Sequence, residues 1–469
     1  MIIEQIYTKC LAQGAYYIES DGEAAVIDPL REPTPYIERA KRNKAKIKYV
    51  FETHIHADFV SGHLDLAKKT GATIVFGPNA NTHYDCYNAV DGETFKIGSL
   101  TLKVMHTPGH TLESVSYLLI DATGKNHALF SGDTLFLGDV GIPDVAQQYK
   151  DLSKEKLAEM LFESLRSKIM PLEDNIILYP AHGAGSACGK NMSKDTIGTL
   201  GDQKSSNYAL RADMTKEEFV SEVLKGIGSP PPYFIENILL NKTGYMDLDV
   251  VLSKSNTPIS VELFEKLAQK KETLVLDVRT QQEFVKSHIP GALFIGLNGG
   301  FAPWVGALIS DINQPILLVV QEGRSEEAIT RLARVGYDNS LGYLEGGMEA
   351  WVQAGKTTEQ ITSITAKEFE QRFNTKSIAV LDVRKDGEYN SAHLKGNHIE
   401  HLSLDSIHQK IQGVESQKTY HVYCGGGYRS VIATSILKAN GFSNVIDIAG
   451  GFVALKKTQL PIANGVCNA

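Results

Sequence analysis

Short apolar runs separated by turn residues and amphipathic stretches dominate the first 240 residues. Runs of this length between helical stretches are typical of buried strands in an α/β domain. Each run ends in a polar cluster that contains histidine or aspartate, and strand ends are common places for a functional site. The apolar runs lie at 24–30, 47–54, 72–77, 100–110, 128–136 and 175–183.

A charged amphipathic stretch and a proline-rich segment follow these runs. The stretch MTKEEFVSEVLKG at 214–226 predicts a helix. The segment GSPPPYF at 228–234 predicts a rigid turn that ends this part of the chain. We therefore expect a first domain at residues 1–245.

Two later stretches resemble each other. Residues 273–297 and 377–404 each contain a strand-like run, Asp-Val-Arg, an acidic and aromatic helix start, and then histidine and glycine. Each is followed by a second apolar run, a helical segment and a Gly-Gly turn before a hydrophobic residue. Two copies of one α/β unit of about 100 residues explain this pattern most simply. We expect the copies at 255–358 and 362–465, with a linker near 357–362.

Length, charge and cysteine usage narrow the class of protein. A chain of 469 residues is too long for one core, and about three domains are expected. The net charge is 47 − 55 = −8, without a basic stripe, so neither nucleic acid nor a membrane is an expected partner. The N-terminus has no signal-peptide pattern, and no apolar run reaches transmembrane length. The five cysteines are scattered without a Cys-x-x-Cys pair, which favours a reducing cytoplasm.

The run Thr53-His54-Ile55-His56-Ala57-Asp58-Phe59 carries most of a two-metal hydrolase signature. Alternate residues of an extended segment point the same way, so His54 and His56 can converge on one centre. The signature ends in histidine, but here Phe59 takes that position and has no lone pair for a metal. One ligand of the second metal is missing, which favours single-metal chemistry over two-metal hydrolysis.

Three further residues complete the candidate metal site. They are His110 in HTPGH, Asp133 in SGDT and His182 in PAHG. A single histidine at a strand end is more often a surface residue or a core residue with its hydrogen bonds made. Together with His54, His56 and Asp58 they make six residues. Their order and context indicate a metal site rather than a set of structural residues.

These segments resemble the metallo-β-lactamase fold, a four-layer αββα sandwich, over roughly 230 residues. Within that superfamily they are most similar to the persulfide dioxygenases, which are relatives of the glyoxalase II hydrolases. The resemblance implies one Fe(II) per chain, held by His56, His110 and Asp133. Two imidazoles and one carboxylate leave open positions suited to Fe(II) and O2 chemistry. His54, Asp58 and His182 would then orient the ligands or the substrate.

A zinc enzyme is the alternative that the same residues leave open. The six residues could bind two Zn(II) ions, and His63 could replace the ligand missing at Phe59 if the loop turned. This interpretation predicts a thioester hydrolase of the glyoxalase II type. Ile142 stands where many relatives carry arginine, so the family does not explain how a negatively charged thiol substrate would be recognised. Cys188 follows the HGAGS segment, which leaves two interpretations open: a thiol near the site, or a buried structural thiol, which we favour.

The last copy contains Cys424-Gly425-Gly426-Gly427-Tyr428-Arg429-Ser430 between a strand-like run and a helical run. The amides of such a loop point inward and, with a helix N-terminus, favour a thiolate or another anion. Arg429 can add a charge-assisted hydrogen bond to that anion. With the Asp-Val-Arg and Gly-Gly segments, this loop resembles the rhodanese sulfurtransferases over residues 362–465.

The resemblance makes Cys424 the sulfur carrier, with Arg429 beside it and residues 425–428 forming the substrate loop. Asp382 and Arg384 are expected to pair within the scaffold. The middle copy has Gln321-Glu322-Gly323-Arg324-Ser325 at the corresponding place, with no cysteine and a shorter loop. Glu322 would repel an anion, so we expect the middle copy to be inactive and to serve in packing.

The sequence thus predicts an α/β chain in which a metallo-β-lactamase domain precedes two rhodanese-like domains. The resemblance implies that a small persulfide, such as glutathione persulfide, and O2 give sulfite and thiol, and that Cys424 transfers sulfur to make thiosulfate. Relatives associate as dimers or tetramers, so a homo-oligomer is expected. The alternatives are the zinc thioester hydrolase and a non-catalytic sulfur-relay protein.

Overall fold

The computed structural model describes residues 1–143, 152–228, 230–375, 378–396 and 398–465. Asp144 and Cys467 therefore lie outside the described residues. Residues Met1–Val251 form one compact unit together with Leu332–Gly336, and the two sequence copies account for most of a second unit. No helix in the described part of the chain is both long and apolar enough to cross a membrane.

The first unit is built around two six-stranded sheets. In the first sheet the strands follow the order β1-β2-β3-β4-β5-β6, and in the second the order β12-β11-β10-β9-β8-β7. The strands of the first sheet are β1 Ile2–Thr8, β2 Gln13–Ser20, β3 Glu23–Ile27, β4 Lys46–Phe51, β5 Thr73–Phe76 and β6 Tyr87–Asn88. Those of the second are β7 Thr94–Ile97, β8 Leu100–His106, β9 Val115–Ile120, β10 Asn126–Gly132, β11 Ile177–Pro180 and β12 Gly198–Thr199.

Three apolar clusters show the four layers of this unit. The central cluster joins the inner faces of both sheets, with Phe51 and Phe130 among its fully buried side chains. A second cluster, including Tyr36, packs helices on the outer face of the first sheet. A third, including Leu161 and Phe219, does the same for the second sheet. The predicted αββα sandwich is therefore confirmed.

Seven α-helices of the described residues surround or follow these sheets, together with a π-helical turn at Leu165–Ile169 and a 3-10 turn at Tyr208–Leu210. The α-helices are α1 Thr34–Asn43, α2 His63–Thr70, α3 Lys154–Ser164, α4 Leu200–Ser206, α5 Lys216–Leu224, α6 Tyr233–Thr243 and α7 Leu248–Ser255. The helix predicted at 214–226 is α5, and its capping box joins Thr215 to Glu218. The proline-rich segment does not end the unit, because α6 starts within it and packs back on the first sheet's loops.

The middle copy is a five-stranded parallel sheet in the order β13-β17-β16-β14-β15. Its strands are β13 Pro258–Ile259, β14 Leu274–Asp277, β15 Leu293–Phe294, β16 Ile316–Val319 and β17 Ser340–Leu344. Its helices are α8 Val261–Ala268, α9 Gln281–Lys286, α10 Phe301–Leu308, α11 Ser325–Ala333 and α12 Gly347–Gln353.

The last copy repeats this topology in the order β18-β23-β22-β19-β21 and adds a β20-β24 pair. Its strands are β18 Thr362–Thr365, β19 Ala379–Asp382, β20 Ala392–Leu394, β21 Ile399–His401, β22 Tyr420–Tyr423, β23 Val445–Ala449 and β24 Ile462–Asn464. Its helices are α13 Ala366–Thr375, α14 Asp386–Ser391, α15 Ile407–Lys410, α16 Tyr428–Ala439 and α17 Gly451–Leu455. The identical strand order confirms the predicted internal repeat.

The scaffold pair predicted in the last copy is also confirmed. Arg384 donates to both carboxylate oxygens of Asp382, with its Nη2 2.6 Å from Oδ2, and both side chains are buried. The middle copy has the same pair, with Arg279 Nη2 2.6 Å from Asp277 Oδ2. Pairing of this kind lets two buried charges satisfy each other at the end of a central strand.

Candidate metal centre and sulfur-transfer loop

The candidate metal ligands lie just beyond the carboxyl ends of four strands, one in the first sheet and three in the second. His54 follows β4, His110 follows β8, Asp133 follows β10 directly, and His182 follows β11. All four side chains are buried. A Cβ at Gly141 would lie 2.0 Å from the carbonyl oxygen of Asp133, so only glycine permits the close backbone packing behind this carboxylate.

Two histidines and one carboxylate converge on a single point. His54 Nε2 lies 4.0 Å from Asp133 Oδ2, and His110 Nε2 lies 3.5 Å from the same oxygen. The ligand atoms of the three residues all lie within 4.8 Å of one another. Neither oxygen of Asp133 accepts a hydrogen bond from any described residue. Buried acceptors normally have partners, so this set fits a bound cation.

Hydrogen bonds set the direction in which each imidazole presents its lone pair. Thr53 Oγ1 donates its only proton to Asp28 Oδ2 at 2.9 Å, so it accepts from His54 Nδ1 at 3.0 Å. His110 Nδ1 lies 2.7 Å from the carbonyl oxygen of Ile142 and must carry the proton there. In both rings Nε2 is then left unprotonated and faces Asp133, as a metal ligand requires.

His56 does not join this set, which differs from the ligand assignment expected from the sequence. Its Nε2 lies 3.1 Å from Asp28 Oδ1 and 3.2 Å from Glu52 Oε2. Burial alone would lower the pKa of His56, but the two carboxylates outweigh burial and raise it above the usual range. Burial and the neighbouring histidines instead lower the pKa of His54. The structure thus brings His54, rather than His56, together with His110 and Asp133.

A second group of potential ligands lies beside the first. His56, Asp58 and His182 offer atoms within 4.8 Å of one another. His182 Nε2 lies 3.6 Å from Asp58 Oδ2 and 3.6 Å from Asp133 Oδ1. The buried ring of Phe59 packs against the ring of His56 at an angle of 34°, with the centroids 4.3 Å apart, and adds no ligand.

The structure shows which groups surround His63 and Cys188. His63 Nδ1 lies 3.3 Å from Glu52 Oε1 and its Nε2 2.7 Å from the hydroxyl of Tyr84, so it does not replace the ligand missing at Phe59. Cys188 is buried, as expected for a structural thiol. Its sulfur also lies within 4.8 Å of ligand atoms of Asp133 and His182, at the edge of the metal site.

Asn241 on α6 holds the loop of residues 54–61, which carries the candidate metal ligands. The sequence did not predict this role. Asn241 Nδ2 donates to the carbonyl oxygens of His56 and Phe59, each at 2.8 Å. Its Oδ1 accepts from the backbone N–H of Ser61 at 3.0 Å. These bonds go to backbone atoms of a distant segment, so they leave no motif in the sequence.

The sulfur-transfer loop begins at the end of β22 and leads into α16. Cys424 is 1% exposed, and the backbone N–H of Gly427 donates to its sulfur at 3.1 Å. Its sulfur also contacts Ser430 Oγ at 3.7 Å, and Ser430 donates to Asp447 Oδ1 at 2.6 Å. The predicted inward amide is therefore present at Gly427.

Two residues of this loop have partners that the sequence did not predict. Arg429 binds the carboxylate of Glu388 with both terminal nitrogens, at 2.6 and 2.7 Å. Burial favours a higher pKa for Glu388, but Arg429 outweighs it and lowers the pKa. The Tyr428 hydroxyl donates to the carbonyl oxygen of Gly296 in the middle copy at 2.8 Å. A Cβ at Gly425 would lie 3.0 Å from Arg429 Nη2, whereas one at Gly426 would meet nothing within 4 Å.

The middle copy has a cavity of about 1010 Å³ at the equivalent loop, Gln321–Ser325. No cysteine lines this cavity, as the sequence predicted. Arg324 is engaged by Glu327 at 2.8 Å, and Glu322 adds a negative charge to the lining. The cavity has no sulfur nucleophile.

Comparison with known proteins agrees with this architecture. The model of the metallo-beta-lactamase superfamily matches residues 9–84, and the model of the rhodanese-like domain matches residues 260–354 and 365–458. The crystal structure of a metallo-beta-lactamase from Staphylococcus aureus subsp. aureus COL is 30% identical, with a TM-score of 0.64. That match covers 73% of this chain and 98% of the other. The chain belongs to the metallo-β-lactamase superfamily.

Two further proteins are similar to part of the chain. A cytoplasmic hydroxyacylglutathione hydrolase from Arabidopsis thaliana is 32% identical over 181 residues, which are 38% of this chain and 66% of the relative. The structure of ETHE1 from Myxococcus xanthus is 26% identical, with a TM-score of 0.43, and covers 52% of this chain and 98% of the other. The superfamily fold implies a divalent metal, and the His54, His110 and Asp133 set fits one.

Replacing Thr53 tests whether the hydrogen bond to His54 supports the metal site. Thr53→Val keeps the shape but removes the acceptor for His54 Nδ1, so the ring loses its fixed tautomer. We expect the affinity for a divalent metal to fall by about 10- to 100-fold. Titration of metal-free protein with Fe(II) or Zn(II) measures the change. Thr53→Ser retains the hydroxyl and should bind metal nearly normally; equal affinities for both variants would contradict this role.

Proposed function

We propose that the N-terminal unit oxidises a low-molecular-weight thiol persulfide at a single iron and that the last copy transfers sulfur through Cys424. The observation that carries the proposal is the convergence of His54, His110 and Asp133, with both imidazoles directed by hydrogen bonds. Two imidazoles and a carboxylate are the ligand set of non-haem iron oxygenases. Iron bound there would supply redox chemistry and open positions for O2 and the terminal sulfur.

The chain's own residues support one metal rather than two. His56 Nε2 lies 3.1 Å from Asp28 Oδ1 and 3.2 Å from Glu52 Oε2, and His56 is not part of the group formed by His54, His110 and Asp133. Phe59 fills the position of a further ligand with an apolar ring. The buried site around Asp133 also excludes bulk water, which protects a reactive persulfide from side reactions.

The overall reaction balances with water as the third reactant. A persulfide R–S–SH, O2 and water give the thiol R–SH, sulfite and two protons. The terminal sulfur is oxidised, O2 is reduced, and the S–S bond breaks. Glutathione persulfide is a suitable substrate because its reactive sulfur ends a flexible chain and can enter a buried site.

Cys424 would complete the sequence by carrying a sulfane sulfur. Transfer from R–S–SH loads the thiol of Cys424 as a persulfide and releases R–SH. Attack of sulfite on that outer sulfur gives thiosulfate and frees the thiol. The amide of Gly427 lies 3.1 Å from the sulfur and can stabilise the thiolate that leaves. Both reactions on one chain raise the local concentration of sulfite at the second site.

A zinc thioester hydrolase is the second candidate, and one observation favours it. Asp133 Oδ2 faces His54 and His110, whereas its Oδ1 faces His182 in the neighbouring group. If two divalent metals were bound, Asp133 would belong to both ligand sets, and the metals would supply an activated water for hydrolysis. The hydroxyacylglutathione hydrolase relative is consistent with such chemistry.

The first experiment measures metal content and oxygen uptake of the anaerobically purified chain with glutathione persulfide. We expect one iron per chain and oxygen uptake with sulfite as product. Two zinc ions, with thioester cleavage and no oxygen uptake, would favour the hydrolase. His54→Ala should lose iron and activity together, whereas His56→Gln should retain iron. Iron loss confined to His56→Gln would restore the ligand set expected from the sequence.

Replacing Phe59 tests why the site would hold one metal. Phe59→His adds an imidazole next to His56, Asp58 and His182, which completes a second ligand set. We expect the metal capacity to rise from one to two divalent ions per chain, as measured by metal analysis after reconstitution. Phe59→Leu adds no ligand and should stay at one. If both variants bind one ion, Phe59 does not control the metal count.

Replacing the sulfur carrier separates the two activities. In Cys424→Ser we expect oxygen uptake with glutathione persulfide to continue and thiosulfate formation to be lost, because the serine oxygen does not accept a sulfane sulfur. Sulfite should then accumulate in place of thiosulfate. Loss of oxygen uptake in this variant would show that sulfur enters the protein through Cys424 before oxidation.

A further inference from the structure

Tyr428 turns its side chain out of the sulfur-transfer loop and into the middle copy. Its hydroxyl donates to the carbonyl oxygen of Gly296 at 2.8 Å. Its ring makes an edge contact with Phe294, with the centroids 6.0 Å apart. Burial raises the pKa of the phenol, so the hydroxyl keeps its proton and remains a donor.

Gly299 forms the floor under this ring. A Cβ at Gly299 would lie 2.3–2.6 Å from three atoms of the Tyr428 ring, which is too close for any side chain. The next residue, Gly300, has no such constraint, since a Cβ there would meet only Trp304 at 3.4 Å. The middle copy thus has a binding position for this ring, here called the seat, formed by Gly296 and Gly299.

The same face of α16 makes a second contact with the middle copy. Ser435 lies seven residues after Tyr428, which is two helical turns along the same face. Its hydroxyl accepts from the backbone N–H of Phe294 at 3.1 Å. The start and the middle of the helix that follows the loop are therefore both fastened to β15.

The other side of the loop is fastened within its own domain. The carbonyl oxygen of Cys424 accepts from the N–H of Phe452 at 2.6 Å, and that of Gly425 accepts from Val453 at 3.0 Å. A Cβ at Gly451 would lie 2.3 Å from the carbonyl oxygen of Cys424. At the far end of the loop, Arg429 and Ser430 also bond within their own copy. Tyr428, directly after the amide that donates to the Cys424 sulfur, bonds instead to the middle copy.

We propose that the thiol-free middle copy positions the sulfur-transfer loop, with Tyr428 as the positioning residue and Gly296 and Gly299 as its seat. The proposal rests on the proposed function of Cys424 as the sulfur carrier. If the ring leaves its seat, the N–H of Gly427 shifts with the start of α16, and the Cys424 thiolate loses its donor. The middle copy is then part of the transferase site without contributing a reacting atom.

Gly299→Ala in the full chain tests this role, with Gly300→Ala as the matched control. We expect Gly299→Ala to lower kcat for sulfur transfer from thiosulfate to cyanide by about 10- to 100-fold, because small displacements of reacting groups cost this much. KM for thiosulfate should change much less. Gly300→Ala should keep both parameters.

Alkylation of Cys424 by iodoacetamide, followed by peptide mass spectrometry across pH, gives a readout that does not need turnover. In Gly299→Ala we expect the midpoint pH of alkylation to rise, since the thiolate loses the Gly427 amide. Tyr428→Phe keeps the ring but loses the bond to Gly296. In this variant the midpoint pH of alkylation should rise less than in Gly299→Ala. Equal midpoints and equal kcat for Gly299→Ala and Gly300→Ala would overturn the proposal.

Two outcomes distinguish a failure of the positioning role from a failure of Cys424 as the sulfur carrier. If the unaltered chain transfers no sulfur, the proposed function of Cys424 fails, while the alkylation midpoint still reports on the loop. If Gly299→Ala does not fold, judged by circular dichroism and thermal unfolding, Tyr428→Phe decides: a midpoint and a kcat equal to those of the unaltered chain would overturn the positioning role.

Discussion

The hydrogen-bonded series Asp28, Thr53 and His54 governs the metal centre. Asp28 takes the only hydroxyl proton of Thr53, which forces Thr53 to accept from His54 and leaves His54 Nε2 unprotonated. The other oxygen of Asp28 faces His56 and engages it elsewhere. One buried carboxylate thus assigns opposite roles to two histidines that are two residues apart, and Asn241 keeps their loop in place.

Much of the fold followed from the sequence because it depends on local patterns. Apolar runs of strand length predicted an α/β domain, and the duplicated Asp-Val-Arg segments predicted both repeats. The αββα sandwich came from the resemblance to the metallo-β-lactamase fold. The ligand set did not follow from a local pattern. Alternation along an extended segment points His54 and His56 the same way, so it does not show which of them is the metal ligand. Only the folded structure shows that Glu52 and Asp28 lie next to His56. The carbonyl of Ile142 also orients His110, and backbone groups of this kind carry no sequence signature.

The sulfur-transfer loop shows the same division. Its glycines and its cysteine predicted an inward amide, because that geometry arises within a few residues of the chain. The partners of Arg429 and Tyr428 lie 41 and 132 residues away. Nothing in the loop itself indicates that Glu388 neutralises the arginine or that a glycine in another repeat accommodates the tyrosine ring.

The paired charges of the two repeats have a consequence for how such a chain can evolve. Asp277 with Arg279 and Asp382 with Arg384 have the same geometry in a copy without the thiol and in a copy with it. The paired charges are therefore the same whether or not the repeat carries the thiol. After duplication, one copy can lose its cysteine and keep this pair, and its surface is then free to change as a support for the copy that retains the thiol.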